Sequence, residues 1–331
     1  MKVLRQIAHG DADTGLQLTE EPDPVPGPGD IVVALEVAPV QILEVWNLHG
    51  PLRFPAKSLP RVPGSEGAGR VTAVGDGVTR FKAGDRVFTP KFTGTFREKM
   101  TCPADAAFHA PDGAPADQLA IISTMGLTAI LLLEDYVPLP PGSWLIHDGA
   151  NSSVGRFVTG MARKKGWRTV NVVRRAGLDN EIKALGGDVV LVDPGEADAF
   201  ADMVKKATGG AEIAIALDMI GGALAGRMAH ALKEHGTLVL YGGTGGEPAK
   251  IDFIDMGRRD LTVVGMGMSR SFNRRTPDQK DAVWAQLGAW VEDGTLQTRI
   301  AGKYRLEDYK AAYAHAAVPS RERNGKVIFE F

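Results

Sequence analysis

The chain of 331 residues has a single cysteine, Cys102, which excludes an internal disulfide and cannot by itself hold a structural zinc ion. No run approaches the roughly eighteen apolar residues of a membrane-spanning helix. The opening MKVLRQIAHGDADTG lacks the apolar stretch of a secretory signal. Charge of one sign is also lacking: Lys and Arg total 38 against 40 for Asp and Glu, a net charge of -2. Such a balance removes the general electrostatic case for nucleic acid or an anionic membrane surface. There is no H-E-x-x-H, no cysteine cluster and no GxxxxGK[ST] phosphate loop. Gly64-Ser65-Glu66-Gly67 misses the spacing of a nucleophile elbow. Repeats and low-complexity tracts are absent. These absences predict a globular protein of a reducing compartment, the cytoplasm, with no metal, nucleic-acid or membrane partner.

What is present divides in two. The first 120 residues are rich in Gly and Pro, and short β-type runs (31–40, 69–75, 85–90 and 97–103) are spaced by turn signals such as Pro26-Gly27-Pro28-Gly29. Several short strands between close turns predict a compact sheet or partly open barrel. From about 120 the texture changes. The apolar stretch LAIISTMGLTAILLLEDY predicts a helix, and strands then alternate with helical segments at 143–149, 169–175, 188–193, 213–220, 236–243 and 261–268. Almost continuously apolar strands interleaved with helices are what a parallel sheet covered on both faces requires. The tail from about 272 predicts a Trp-containing helix, a strand, a second helix and a closing strand. The fold class is α/β. The texture divides the chain into two domains.

The strand SWLIHDG runs directly into Gly149-Ala150-Asn151-Ser152-Ser153-Val154-Gly155, after which Val154, Phe157, Val158, Met161 and Ala162 recur at helical spacing. Strand, tight polar turn and helix start place backbone amides and the positive end of a dipole where a pyrophosphate can sit. The strict G-x-G-x-x-G pattern is absent, its first two glycine positions being Ala150 and Ser152. Its less favoured alternative is an ordinary strand–helix turn of an α/β domain. The next strand ends in Arg174-Arg175, 19 residues after Gly155. An NAD site places an acid near there for the ribose hydroxyls, whereas two guanidiniums offer forked donors for a 2′-phosphate. The pattern therefore favours NADPH over NADH. A later Gly-rich string from Tyr241 to Gly246 follows a strand and can approach a ligand closely, or equally form a plain turn.

The order of elements resembles the medium-chain dehydrogenase/reductase superfamily over essentially the whole chain. Val62 to Gly69, Val74-Gly75 and Gly84 to Val87 resemble its N-terminal signature. Gly126-Leu127-Thr128-Ala129 resembles the opening of its nucleotide domain, and Gly325-Lys326-Val327 its closing strand. The resemblance implies a GroES-like partly open β-barrel domain of 1–119 with 272–331, carrying the substrate site, beside a Rossmann doubly wound sheet of 120–271 for the nucleotide. Ser65 stands where the zinc alcohol dehydrogenases carry a metal-binding His, and their cysteines have no counterpart, so the zinc-independent branch is implied. Within it, the signature is similar to the NADPH:quinone reductases (zeta-crystallin-like). Asn151 to Gly155, Asn171 to Arg174, Tyr241 to Gly243 and Thr276 to Gln279 resemble the mitochondrial-type 2-enoyl thioester reductases.

By that resemblance, the cofactor residues are Asn151, Ser152, Ser153, Val154 and Gly155, with Arg174 and Arg175 on the 2′-phosphate. Tyr241, Gly242, Gly243, the backbone around Met266 to Met268, and Lys326 join them, with Thr128 by the nicotinamide carboxamide. A homodimer is implied. One departure is serious: the family's tyrosine proton donor falls at Leu52, within a residue, and all five tyrosines of this chain lie at 136 or later. An expected asparagine is replaced by Met125. His49 is the titratable residue of the substituted segment, and an imidazole can donate near neutral pH. Its bland alternative is a surface His, as packing is for Trp46 beside Asn47. The activity implied is NADPH-dependent hydride transfer to a conjugated C=C of an enoyl thioester or enone. The alternatives are an NADPH:quinone oxidoreductase and, further off, a non-catalytic NADPH-binding protein.

Overall fold

The computed structural model describes residues 1–50 and 58–331, and for Ser320 and Arg321 the backbone alone. The chain forms strands β1 (Lys2–Gln6), β2 (Leu16–Glu20), β3 (Asp30–Val40), β4 (Ala68–Val74), β5 (Arg86–Phe88), β6 (Lys99–Pro103) and β7 (Phe108–His109). Six more follow: β8 (Trp144–His147), β9 (Arg168–Val173), β10 (Val189–Val192), β11 (Ile213–Asp218), β12 (Thr237–Leu240) and β13 (Thr262–Gly265). Strands β14 (Ile300–Tyr304) and β15 (Lys326–Glu330) close the chain. Two compact units result, one of residues 1–124 with 281–331 and one of 125–280.

The first unit is a GroES-like sheet domain. Its main sheet runs β14-β15-β3-β4-β5-β7, with β6 also paired to β3, and a separate β1-β2 ribbon. β3 organises it because it is apolar along nearly its whole length. Its first half pairs with β6 (Val33 opposite Met100), its second half with β15 (Ala38 opposite Phe329), and β4 takes the other edge. Ile31, Val33, Val71, Val87 and Met100 fill one core, while Leu4, Phe96, Tyr313 and Phe329 fill another. Burying a side chain of this size contributes about 1.5–3 kcal/mol.

The second unit is a six-stranded, wholly parallel sheet in the order β10-β9-β8-β11-β12-β13. Alternate residues serve opposite faces. Trp144, Ile146, Val170 and Val172 pack with Phe200, Val204, Ala225 and Met228 from the helices Ala197–Thr208 and Gly222–His230. On the other face, His147 and Asn171 meet the helix Ser153–Lys164. The Nε2 of His147 lies 2.8 Å from Asn171 Oδ1, and the Thr159 hydroxyl donates to the same oxygen at 2.8 Å. Burial pulls the His147 pKa down to about 4, so the ring is neutral and locks helix to sheet without charge.

Three differences from the sequence expectation have physical causes. The apolar stretch after 119 is not one helix. It breaks into Ala116–Leu119 and Leu127–Glu134 around a wide turn at Ile122–Gly126, where the Thr124 amide donates to Glu66 Oε2 at 2.7 Å. That bond holds the chain to the first unit as far as residue 124, past the expected boundary at 119. At the other end, the helix Pro277–Glu292 changes units partway. Asp281 is paired with Arg80, and Trp284 lies against Phe88 and stacks on Phe108, with centroids 4.9 and 5.0 Å away. The division thus falls at 280 rather than 271. Finally, the parallel strands stop short of the Gly- and Arg-containing ends assigned to them. Arg174, Arg175, Tyr241 to Gly243 and Met266 to Met268 lie beyond the strand ends, at the carboxyl edge where open α/β sheets bind ligands.

Candidate active site

In the second unit, β8 passes through Asp148 into Gly149, whose φ of +54° lies in the left-handed region. A Cβ on Gly149 would stand 2.4 Å from Met219 Cε, so glycine is required twice over. The tight turn thus comes one residue before the pattern's first glycine position, which is why Ala150 is tolerated there. Ser152 caps the helix Ser153–Lys164, its hydroxyl accepting from the Gly155 amide at 3.1 Å. A Cβ on Gly155 would lie 2.5 Å from the Gly149 carbonyl oxygen, so this glycine lets helix and turn touch. Asn151 is exposed at the turn, and Val154 is buried beneath it.

Beyond β9, Arg174 and Arg175 are both exposed and pair with no acid among the described residues. After β12, Gly242 packs on Met219, where a Cβ would meet the carbonyl oxygen at 2.6 Å; a Cβ on Gly243 would meet nothing within 4 Å. Tyr241 is half-buried, and its hydroxyl, fully enclosed, has no partner among the described residues. The Met266 amide donates to the Leu240 carbonyl at 2.8 Å. Met268 opens the helix Met268–Asn273, and its sulfur accepts from the Thr128 hydroxyl at 3.4 Å. Met125 is half-buried at the start of this unit.

The first unit holds a buried ionic cluster that sequence reasoning missed, apart from Lys326. Glu66 is completely buried. Gln41 Nε2 donates to its Oε1 at 2.8 Å, and Lys326 Nζ donates to Gln41 Oε1 at 3.0 Å. Ser65, which stands where the resemblance sets a metal-binding histidine, is buried, and so is Glu44. Gly64 has a φ of +105°, and a Cβ there would stand 2.4 Å from Thr95 Oγ1, whose hydroxyl is spent on the Glu66 carbonyl. Burial raises both acids, Glu44 to about 7, and it pulls the ammonium groups of Lys91 and Lys326 down to about 8. Lone polar residues at the ends of apolar runs (Gln41 after Ala38-Pro39-Val40, Asp148 after Trp144–His147, Asp218 after Ile213–Leu217) were the available signal.

His49 ends the helix Ile42–His49 and is exposed, its Nδ1 2.7 Å from the Gly10 carbonyl oxygen. Since a carbonyl only accepts, Nδ1 carries the hydrogen and Nε2 is the open edge. Trp46, on the same helix, is 54% exposed, so core packing does not account for it. The Asn47 carbonyl accepts from Gln6 Nε2 at 2.9 Å. Leu52, the position of the expected tyrosine, lies outside the described residues. Among the described residues, no group of three or more His, Cys, Asp or Glu could hold a metal ion, and no helix is long and apolar enough to cross a membrane.

Residues 27–112 match the alcohol dehydrogenase GroES-like domain, and residues 185–329 match the family described as zinc-binding dehydrogenase. The chain is 33% identical over 330 residues to a mitochondrial enoyl-[acyl-carrier-protein] reductase of Arabidopsis thaliana, covering 97% of this chain and 82% of that one. The chain belongs to the enoyl-[acyl-carrier-protein] reductase family. It is a zinc-independent member of the medium-chain dehydrogenase/reductase superfamily. Among solved structures, it is similar to a mycobacterial quinone oxidoreductase, at 27% identity and a TM-score of 0.89 over 100% of both chains. It is also similar to Etr1p in its complex with NADP and crotonyl-CoA, at 25% identity and a TM-score of 0.84 over 100% of this chain and 99% of the other.

Proposed function

We propose that this enoyl reductase homologue is an NADPH-dependent enzyme that transfers hydride to the conjugated C=C of an α,β-unsaturated carbonyl, an enoyl thioester or enone. The observation that carries the reading is the Ser152-capped turn at Gly149 with, at the end of the next strand, two guanidiniums that pair with no acid among the described residues, in a chain of this family. The cradle fits a dinucleotide. Gly149 and Gly155 leave no side chain over the turn, the helix dipole puts partial positive charge there, and Gly243 faces open space. Asn151, Ser152, Ser153, Val154 and Gly155 are assigned to the pyrophosphate, and Arg174 and Arg175 to the 2′-phosphate. Tyr241, Gly242, Gly243, Met266, Met268, Thr128 and Lys326 complete the set. Etr1p, with its NADP and crotonyl-CoA, supports both cofactor and substrate class.

Bound NADPH supplies a hydride for the β-carbon. The enolate that follows needs hydrogen-bond donors and a proton at the α-carbon. For that proton we assign His49. Its Nδ1 is fixed on Gly10, so the imidazolium would donate from Nε2. NADPH oxidation with crotonyl-CoA, with NADH as the control, tests the reading. No turnover by a protein that binds NADPH would overturn it.

The second reading, an NADPH:quinone oxidoreductase, is favoured by the likeness to the mycobacterial quinone oxidoreductase and by the absence of tyrosine before position 136. A hydroquinone takes its protons from water, so it needs a positioned acid less. We also propose a homodimer paired along β13, whose outer edge has no partner strand among the described residues. Sedimentation at the mass of one chain would overturn it. A cytoplasmic location is proposed as well. The lone Cys102 is buried, its thiol pushed up to about 12, and has no disulfide to lose in a reducing compartment. Localisation of the tagged chain tests that.

A further inference from the structure

Two acids meet at the carboxyl ends of neighbouring central strands. Asp148 follows β8 and Asp218 ends β11; both are completely buried, and the two strands pair with His147 opposite Leu217, which sets the two acids side by side. Two neighbouring carboxylates in so dry a place do not both stay ionised, because burial penalises each charge and each charge disfavours the other. Their lone pairs are spent on one short turn. Asp148 accepts from the amides of Met219 at 2.7 Å and Ile220 at 3.3 Å, and Asp218 from Gly221 at 3.1 Å. The turn so held is the one on which the nucleotide loops rest, since Met219 packs against both Gly149 and Gly242.

We propose that Asp148 and Asp218 hold one proton between them, and that this shared proton positions the 219–221 turn under the nucleotide loops, so that dinucleotide binding is proton-linked. The inference rests on the cofactor assignment above. Asp148 and Asp218 are thereby positioning residues. Among the described residues, the ionisable group that faces them from the end of β12 is Tyr241, held in its neutral form by burial and by their charge. From β8 and β9, His147 faces Asn171 instead and stays neutral. From the turn only amides face the pair. Burial and the neighbouring Asp218 raise Asp148 well above the usual carboxylate range, in keeping with a retained proton.

The linkage has a definite sign. A buried acid whose pKa is raised in the folded chain contributes full stability below the ordinary carboxylate range and loses it as pH rises through the folded value. An amide mimics the protonated acid at every pH. In the nucleotide-free full chain, Asp148→Asn should therefore melt above wild type, by a few degrees, with a gap that widens from pH 5 to pH 9; Asp218→Asn should behave alike. Wild-type affinity for NADPH should fall above neutral pH relative to Asp148→Asn, by up to about tenfold per pH unit once the proton leaves. A lower melting temperature for both variants at all pH values, a gap independent of pH, or failure of both to fold would overturn the shared proton. Parallel NADPH profiles in wild type and variant would overturn the linkage. Wild type that binds no NADPH at any pH would instead sink the cofactor assignment and the linkage with it, while the melting curves still decide the proton.

Discussion

The Lys326 ammonium donates to the side-chain oxygen of Gln41 at 3.0 Å, joining the start of the last strand to the residue that follows β3. Gln41 in turn donates to Glu66, so one neutral amide stands between a half-buried cation and a buried anion. Replacing it with leucine leaves both charges short of a partner. Gln41→Leu should cost about 1–3 kcal/mol, read as a lower urea midpoint with an unchanged slope. A midpoint within error of wild type would show that the two charges meet directly.

Glu44 has the opposite sign of effect. Burial raises its carboxyl to about 7 from 4.5, so its contribution is intact below pH 4.5 and is lost as the pH rises through about 7. The gap corresponds to at most about 3 kcal/mol. Glu44→Gln should match wild type near pH 4 and exceed its unfolding free energy at pH 8. Equal or lower stability of the variant at pH 8 would show that the ionised form is held better than its surroundings suggest. One of its oxygens, Oε2, finds no partner among the described residues, which is the structural reason to expect a gain.

Arg174→Ala should weaken NADPH by roughly ten- to a hundredfold, the worth of a charge-assisted hydrogen bond to phosphate, and leave NADH nearly unchanged. Equal losses for the two cofactors, measured by fluorescence titration, would remove the 2′-phosphate assignment. Arg175→Ala should show the same asymmetry.

His49→Gln should lower turnover on an enone by about a hundredfold or more without altering NADPH affinity, the ordinary worth of a positioned acid. Unchanged turnover would assign the α-proton to water and return His49 to the surface of its helix.

The sequence by itself determined the class of fold, the strand–turn–helix at 144–164 and the paired arginines. Each of these rests on local physics: apolar periodicity, a polar turn, a helix cap, and a charge at a fixed distance along the chain. It marked Gly64 and Gly155 as members of motifs, and the structure supplies their reason in contacts with Thr95 and the Gly149 carbonyl. The unit boundaries were beyond it. They are fixed by a bond from Thr124 to Glu66 and by Trp284 lying against Phe88, between residues far apart in sequence. The cluster of buried Gln41, Glu44 and Glu66 with half-buried Lys91 and Lys326, and the acid pair of Asp148 with Asp218, were decided by tertiary structure alone. A polar residue at a strand end reads the same whether it faces water or a second acid, and only the neighbour brought up by folding sets its solvation, its partners and its proton.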